Sequence, residues 1–310
     1  TNPILLDRIK KLVIPPAWEQ VWICIDENGH LQATGLDIKK RKQYKYHPLW
    51  NRLRNQTKFY RLNAFGKAIP RVRQFLHKHL SLPGLPLEKV LAAVVCIMEK
   101  TSIRIGSNMY EKLYGSFGIT TLKDKHVNIS KSSMQFTFKG KKGVMQLLKI
   151  QSSRLSRIVK KCRDIPGKEL FQFYDDRGHH RSIDSGMVNN YIKQISGADF
   201  TAKDFRTWSG TVQALIAFKE MEDSRTAAQT KRNIVAMLDR VAQHLGNTRT
   251  VCKKYYVHPV IISLYEKNTL RKFLSSVHKA LKYDHFDLEF EEKILMKILN
   301  TEMRNNRIMH

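Results

Sequence analysis

Five short segments carry residues able to act on a phosphodiester without a metal ion: Arg104-Ile105-Gly106, Gly140-Lys141, Lys203-Asp204-Phe205-Arg206-Thr207, Leu245-Gly246-Asn247-Thr248 and Lys253-Lys254-Tyr255-Tyr256. Such chemistry needs cations to take up charge on the non-bridging oxygens, a proton donor for the departing alkoxide, and a nucleophile. Arginine and lysine supply the first two, asparagine adds a hydrogen-bond donor, and a tyrosine hydroxyl can attack. A phenol is a weak nucleophile near neutral pH because its unperturbed pKa is about 10. Nearby cations should therefore favour the phenolate. Taken singly, each residue has an ordinary explanation: Arg104 could end a surface helix, and Lys141 could be a solvated turn lysine.

These segments fall at the joints of the elements that the sequence pattern predicts. Residues 87–98 form a nearly all-apolar helix of the kind found at the centre of a helical domain, and Arg104 follows it. A strand cluster over residues 119–150 holds the basic turn Lys139-Gly140-Lys141-Lys142-Gly143 between two apolar runs. Thr201 and Asp204 cap a helix running to Met221, with Lys203 and Arg206 in or near its first turn, where free N–H groups favour an anion. Residues 275–281 and 291–303 read as further amphipathic helices.

Ahead of that region the pattern is extended. Asp26-Glu27-Asn28-Gly29 separates two apolar runs, a strong hairpin signal. Alternation over residues 41–46 puts Arg41, Gln43 and Lys45 on one face and Lys42, Tyr44 and Tyr46 on the other. A helix over residues 50–80 is expected to be interrupted near Gly66 and Pro70, and the Pro/Gly-rich stretch 80–86 to divide two domains, 1–80 and 81–310. The fold class is thus α+β: a small N-terminal β-sheet domain and a larger, mainly helical domain carrying a small hairpin sheet.

Charge narrows the partner. Among 310 residues, 55 Lys and Arg face 27 Asp and Glu, a net +28 whose self-repulsion something anionic must share. The basic residues are interleaved with apolar ones throughout, so the charge belongs to folded surfaces that suit a nucleic-acid groove. No apolar run approaches the roughly 20 residues of a membrane span, and residues 1–14 lack a signal-peptide core. A cytoplasmic, nucleoid-associated protein is expected. Cys24, Cys96, Cys162 and Cys252 show no ligand spacing, and Asp175-Asp176 with His179-His180 reads as a hairpin turn; free thiols and no metal or other cofactor are expected. No phosphate-cradling Gly-x-x-x-x-Gly-Lys-Ser/Thr loop occurs.

In order and approximate spacing the five segments resemble the poxvirus-like and bacterial branch of the type IB DNA topoisomerases. That family places an Arg in Arg-Ile-Gly, a Lys in a Gly-Lys turn, an Arg in Lys-Asp-x-Arg-Thr, a His or Asn after Leu-Gly, and a Tyr nine residues later. Arg104, Lys141, Arg206, Asn247 and Tyr256 fill those places. The resemblance extends to residues 41–46, similar to a DNA-gripping strand, and to Ile14-Pro15-Pro16-Ala17-Trp18, and covers residues 3–270.

The resemblance implies roles. Tyr256 attacks phosphorus, Arg104 and Arg206 hold the non-bridging oxygens, Lys141 protonates the 5′-oxygen with help from Lys203, and Asn247 donates to a phosphate oxygen. Asn247 departs from the His of many relatives, although bacterial members also carry Asn. Arg41, Lys42, Tyr44, Tyr46, Lys139, Lys142 and Lys253 would contact DNA, with Gln43 suited to a base edge. A monomer closing its two domains on duplex DNA as a clamp is implied. A tyrosine recombinase shares this chemistry but usually shows His-x-x-Arg where Lys203-x-x-Arg206 stands. A basic DNA- or RNA-binding module without catalysis is the third reading.

Overall fold

Local turn chemistry accounts for the first sheet. Helix α1 (Pro3–Lys11) precedes strands β1 (Glu19–Ile23), β2 (Leu31–Leu36) and β3 (Lys42–Tyr46), which pair antiparallel in that order. In the β1–β2 turn, Asp26 Oδ1 accepts from Asn28 N at 2.8 Å, and Gln32 Nε2 reaches the Glu27 and Gly29 carbonyls at 2.9 and 2.6 Å. Arg8 ties α1 to this turn by donating to the Cys24 carbonyl and Gln32 Oε1, each at 2.8 Å. The expected facing of β3 holds: Gln43 Nε2 and the Arg41 guanidinium both reach Asp37, while Tyr44 and Tyr46 stack with centroids 6.2 Å apart.

This computed structural model describes residues 3–38, 40–222, 226–275 and 286–308. Contacts divide the chain into units Thr1–Arg61 and Leu62–His310. The division falls inside helix α2 (Pro48–Leu80), earlier than residue 80, because Leu62, Phe65, Ile69, Val72 and Leu76 are buried in the second unit's core. The expected interruption at Gly66 and Pro70 is absent. Proline at position 70 costs one main-chain hydrogen bond, but the helix continues through it, with buried residues on either side. Gly66 is there for approach: a Cβ would lie 2.5 Å from the Trp208 ring and 2.3 Å from Met296 Sδ.

The second unit is built around α3 (Leu87–Thr101), whose Val90, Ala92, Ala93, Val94, Val95 and Ile97 are all 0% exposed. After α4 (Asn108–Tyr114) comes an antiparallel sheet of β4 (Val127–Ile129), β5 (Ser133–Lys139) and β6 (Met145–Gln151). This sheet starts later than residue 119, since Ile119–Thr121 is a single 3₁₀ turn. Helix α5 (Ser153–Arg163), the hairpin β7 (Gln172–Tyr174) and β8 (His180–Ser182), α6 (Ser185–Ser196) and α7 (Ala202–Glu220) follow and pack on α3. Then come α8 (Ala227–Leu245), α9 (Arg249–Tyr255), α10 (Pro259–Glu266), α11 (Leu270–Leu274) and α12 (Phe290–Ile308).

Helix α12 includes the helix expected over residues 291–303; the one expected over 275–281 lies almost entirely outside the described residues. Glu292 explains how α12 is held. It accepts from Trp208 Nε1 at 2.8 Å and from both terminal nitrogens of Arg73, whose Nε reaches Glu99 at 2.8 Å. Removing both carboxylates would leave the largely buried Arg73 charge unpaired, a cost of several kcal/mol (roughly 3–5). The Asp175 turn is a hairpin, with Asp175 Oδ1 accepting from Arg177 N and His179 N at 3.0 and 2.9 Å. Among the described residues no helix is long and apolar enough to cross a membrane, and no cluster of three or more His, Cys, Asp or Glu could hold a metal ion. The four cysteines are free thiols.

Candidate active site

Two helix C-termini hold the arginines. Thr201 and Asp204 form the capping box that starts α7, with Asp204 Oδ2 accepting from Thr201 N at 2.8 Å. This sets Arg206 one turn in, 5% exposed. Its guanidinium donates to the Ser102 carbonyl just past α3 and to the Leu245 carbonyl at the end of α8, the latter at 2.9 Å. Unpaired carbonyls and the negative end of the helix dipole make such termini good seats for a cation. The seat depends on Gly246, which ends α8 at φ 58°, a left-handed conformation that a side chain would strain.

Arg104 uses the same terminus. Its Nη2 donates to the Gly246 carbonyl at 2.8 Å and to Asn247 Oδ1 at 2.7 Å. Its own carbonyl accepts from Ile119 N at 2.8 Å, which fixes the strand of chain after α3. Burial, reinforced by the neighbouring charge of Arg206, pushes Arg104 down to about 10. The bond to Arg104 also decides the Asn247 amide: Oδ1 faces the donor, so Nδ2 points the other way. Nδ2 is buried without a hydrogen-bond partner, and so is Arg206 Nε. Unmatched buried donors cost roughly 1–3 kcal/mol each, so a site that keeps two of them is suited to an anion.

Tyr256 is brought to these cations by its backbone. It follows the last residue of α9, its N donates to the Cys252 carbonyl at 2.9 Å, and its carbonyl accepts from Thr211 Oγ1 at 3.1 Å. Gly210 lets the chains approach, since a Cβ there would lie 3.1 Å from Tyr256 Cβ. The Arg206 guanidinium lies 5.2 Å from the centre of the Tyr256 ring. Burial alone would raise the phenol's pKa; Arg206, by charge and hydrogen bond, with Arg104 and Lys203, outweighs it and lowers the pKa below its ordinary value. Tyr255 instead sits under Lys254, whose Nζ is 5.4 Å from its ring centre.

Lys141 occupies the β5–β6 tip, a tight turn closed by Gly140 N to the Val144 carbonyl at 2.8 Å, with Lys142 at φ 62°. Lys141 is exposed and lines a cavity of about 710 Å³ together with Arg104, Asn247, Lys100, Lys142 and Lys149. Lys139 ends β5 opposite Met145, and Lys253 and Lys203 are exposed on α9 and α7. Lys42, Gln43, Tyr44 and Tyr46 lie on β3 of the first unit, and Arg41 directly precedes it. Sequence reasoning did not single out Ser102, Ser209, Gly210, Thr211 or His244. No local pattern marks them, because each acts through a contact with a distant element.

The chain after Tyr256 is anchored by a neutral histidine. His258 Nδ1 accepts from Val260 N at 3.1 Å and so caps α10, and burial pushes its pKa down to about 4 from 6.5. The unfolded chain therefore binds this proton near pH 6.5 and the folded chain only near pH 4. Stability is full above that window and falls as pH drops through it, by on the order of 3 kcal/mol at the acid end. Urea unfolding between pH 7 and pH 4 measures this loss; His258→Asn, which can still cap, should flatten it.

Residues 40–282 match the family model described as eukaryotic DNA topoisomerase I, catalytic core, and residues 1–37 match that of the bacterial DNA topoisomerase IB N-terminal domain. The chain is 32% identical over 270 residues to the DNA topoisomerase 1B of Acanthamoeba polyphaga mimivirus, covering 85% of this chain and 80% of the relative. It is 25% identical over 271 residues to the DNA topoisomerase 1B of Vaccinia virus (strain Copenhagen), covering 87% and 81%.

Proposed function

Because the chain belongs to the type IB DNA topoisomerases, enzymes of the isomerase class, we propose that it relaxes positive and negative supercoils by cutting one strand of duplex DNA through a 3′-phosphotyrosyl bond on Tyr256 and resealing it. The observation that carries this reading is geometric: the Tyr256 ring lies 5.2 Å from the buried Arg206 guanidinium, and Arg104 and Asn247 are joined at the same end of α8.

The Tyr256 oxygen attacks the scissile phosphorus, a phosphotyrosyl ester forms, and the bond to the 5′-oxygen breaks. Lys141 gives that oxygen its proton and Lys203 assists, a contribution of roughly 10² to 10⁴ in rate for a well-placed general acid. Arg104 retains Nε and Nη1, and Arg206 retains Nε, to meet the non-bridging oxygens that gain charge. Asn247 Nδ2, left without a partner while Oδ1 accepts from Arg104, adds one more donor. One phosphodiester is exchanged for another of similar energy, so attack by the 5′-hydroxyl reverses the step without ATP or a metal ion.

Lys139, Lys142 and Lys253 hold phosphates near the cut. Arg41, Lys42, Tyr44 and Tyr46 of the first unit contact duplex DNA, and Gln43, whose Nε2 is taken by Asp37 at 2.9 Å, offers its Oε1 to a base. The protein acts as a monomer on chromosomal DNA in the cytoplasm. A plasmid assay tests the whole reading: relaxation of both supercoil signs without ATP or magnesium, weakening steeply with salt as counterions compete. Failure to relax, or site-dependent recombination by a tetramer, would overturn it.

A further inference from the structure

Behind Arg206 lies a polar chain that the reaction above does not use. Ser102 Oγ donates to Ser209 Oγ at 2.7 Å, and His244 Nε2 lies 3.0 Å from Ser209 Oγ and 3.3 Å from Ser102 Oγ. These side chains come from the segment after α3, from α7 and from the last turn of α8. The same three elements make the seat of Arg206: it stands on α7, and the carbonyls of Ser102 and Leu245 accept its two terminal nitrogens. We propose that His244 is a positioning residue for Arg206, tying through Ser102 and Ser209 the two carbonyls that aim the guanidinium. The inference rests on the catalytic role given to Arg206 above.

The chemistry of the surroundings requires a neutral imidazole. His244 lines the same cavity as Arg104, Lys100, Lys141, Lys142 and Lys149, with Arg206 behind it and no Asp or Glu among the described residues of the lining. Burial and the charge of Arg206 accordingly lower its pKa. A neutral ring with one bare nitrogen can accept from Ser209, completing the chain from Ser102. A cation there would have no carboxylate in the lining to balance it and no lone pair for the Ser209 hydroxyl to donate to.

A positioning residue differs from a packing residue in being coupled to what it positions. Interaction between sites shows as non-additive effects in a double-mutant cycle. The test measures single-turnover formation of the covalent adduct for the wild type, His244→Ala, Arg206→Ala and the double variant, with His244→Gln as a neutral, hydrogen-bonding replacement. Thermal melts check that each variant folds.

His244→Ala is expected to slow the step about ten-fold in the wild type and less than about two-fold when Arg206 is already absent, with His244→Gln restoring most of the rate. Equal fold-losses in both backgrounds, or a wild-type rate for His244→Ala, would overturn the proposal. If His244→Ala does not fold, Ser209→Ala, which removes the middle of the chain, takes its place with the same expectation. A wild type that forms no adduct defeats the reading of the function itself; an adduct with independent effects defeats only the role of His244.

Discussion

Tyr256→Phe forms no covalent adduct with duplex DNA, while Tyr255→Phe forms it at close to the wild-type rate. The two tyrosines are neighbours with one ring chemistry, so their environments must separate them. Tyr256 has Arg206 over its ring and Arg104 and Lys203 acting on its oxygen, and the balance stabilises the phenolate. Phenylalanine keeps the packing and the backbone anchors to Cys252 and Thr211, so the variant should fold and bind DNA. Loss of a nucleophile in a preorganised site costs at least about 10⁴-fold. Denaturing electrophoresis after incubation with labelled duplex reads the result. An adduct formed by Tyr256→Phe, or abolished by Tyr255→Phe, would move the nucleophile elsewhere.

Arg206→Ala slows adduct formation by at least about 10³-fold while DNA affinity changes only a few-fold. One donor to a developing oxyanion is typically worth about 10² to 10³, and Arg206 adds its charge and its effect on the phenol. Binding, by contrast, is shared among many phosphate contacts. The variant should also shift the pH dependence of cleavage. Arg206 helps hold the Tyr256 pKa down, so its loss raises that pKa and moves the alkaline rise of the rate to higher pH. Arg206→Lys returns a charge but not the planar fork that reaches the Ser102 and Leu245 carbonyls together, and should recover the pH profile better than the rate. A single-turnover rate for Arg206→Ala within ten-fold of wild type would remove it from the reaction.

The elements around these residues were legible because their causes are local. Asn28-Gly29 marks a hairpin, alternation sorts β3 into two faces, the Thr201/Asp204 pair starts α7, and the apolar run of α3 has nowhere to go but the core. Where local rules misled, a distant partner decided. Gly66 and Pro70 read as an interruption, yet α2 continues because Trp208 and Met296 press against Gly66 and a buried stripe binds both halves. Residues 119–121 are apolar and β-branched enough to suggest a strand, but Thr121 Oγ1 and the Gly118 main chain close them into a turn.

The same line runs through the site. Order and spacing of the five segments determined which family the chain resembles and therefore which tyrosine, arginines and lysine to watch, since the chemistry needs those side chains whatever holds them. Tertiary structure alone decided how they are placed together. That Leu245 and Gly246 carbonyls seat two arginines, that Arg104 turns the Asn247 amide, and that Ser102, Ser209 and His244 meet behind Arg206 depends on three elements far apart in the chain. Hydrogen bonds of this kind leave no periodic trace in a sequence, because only folding brings donor and acceptor within reach. Tyr256 could be picked out from a register of segments; its lowered pKa is a property of charges assembled by the fold.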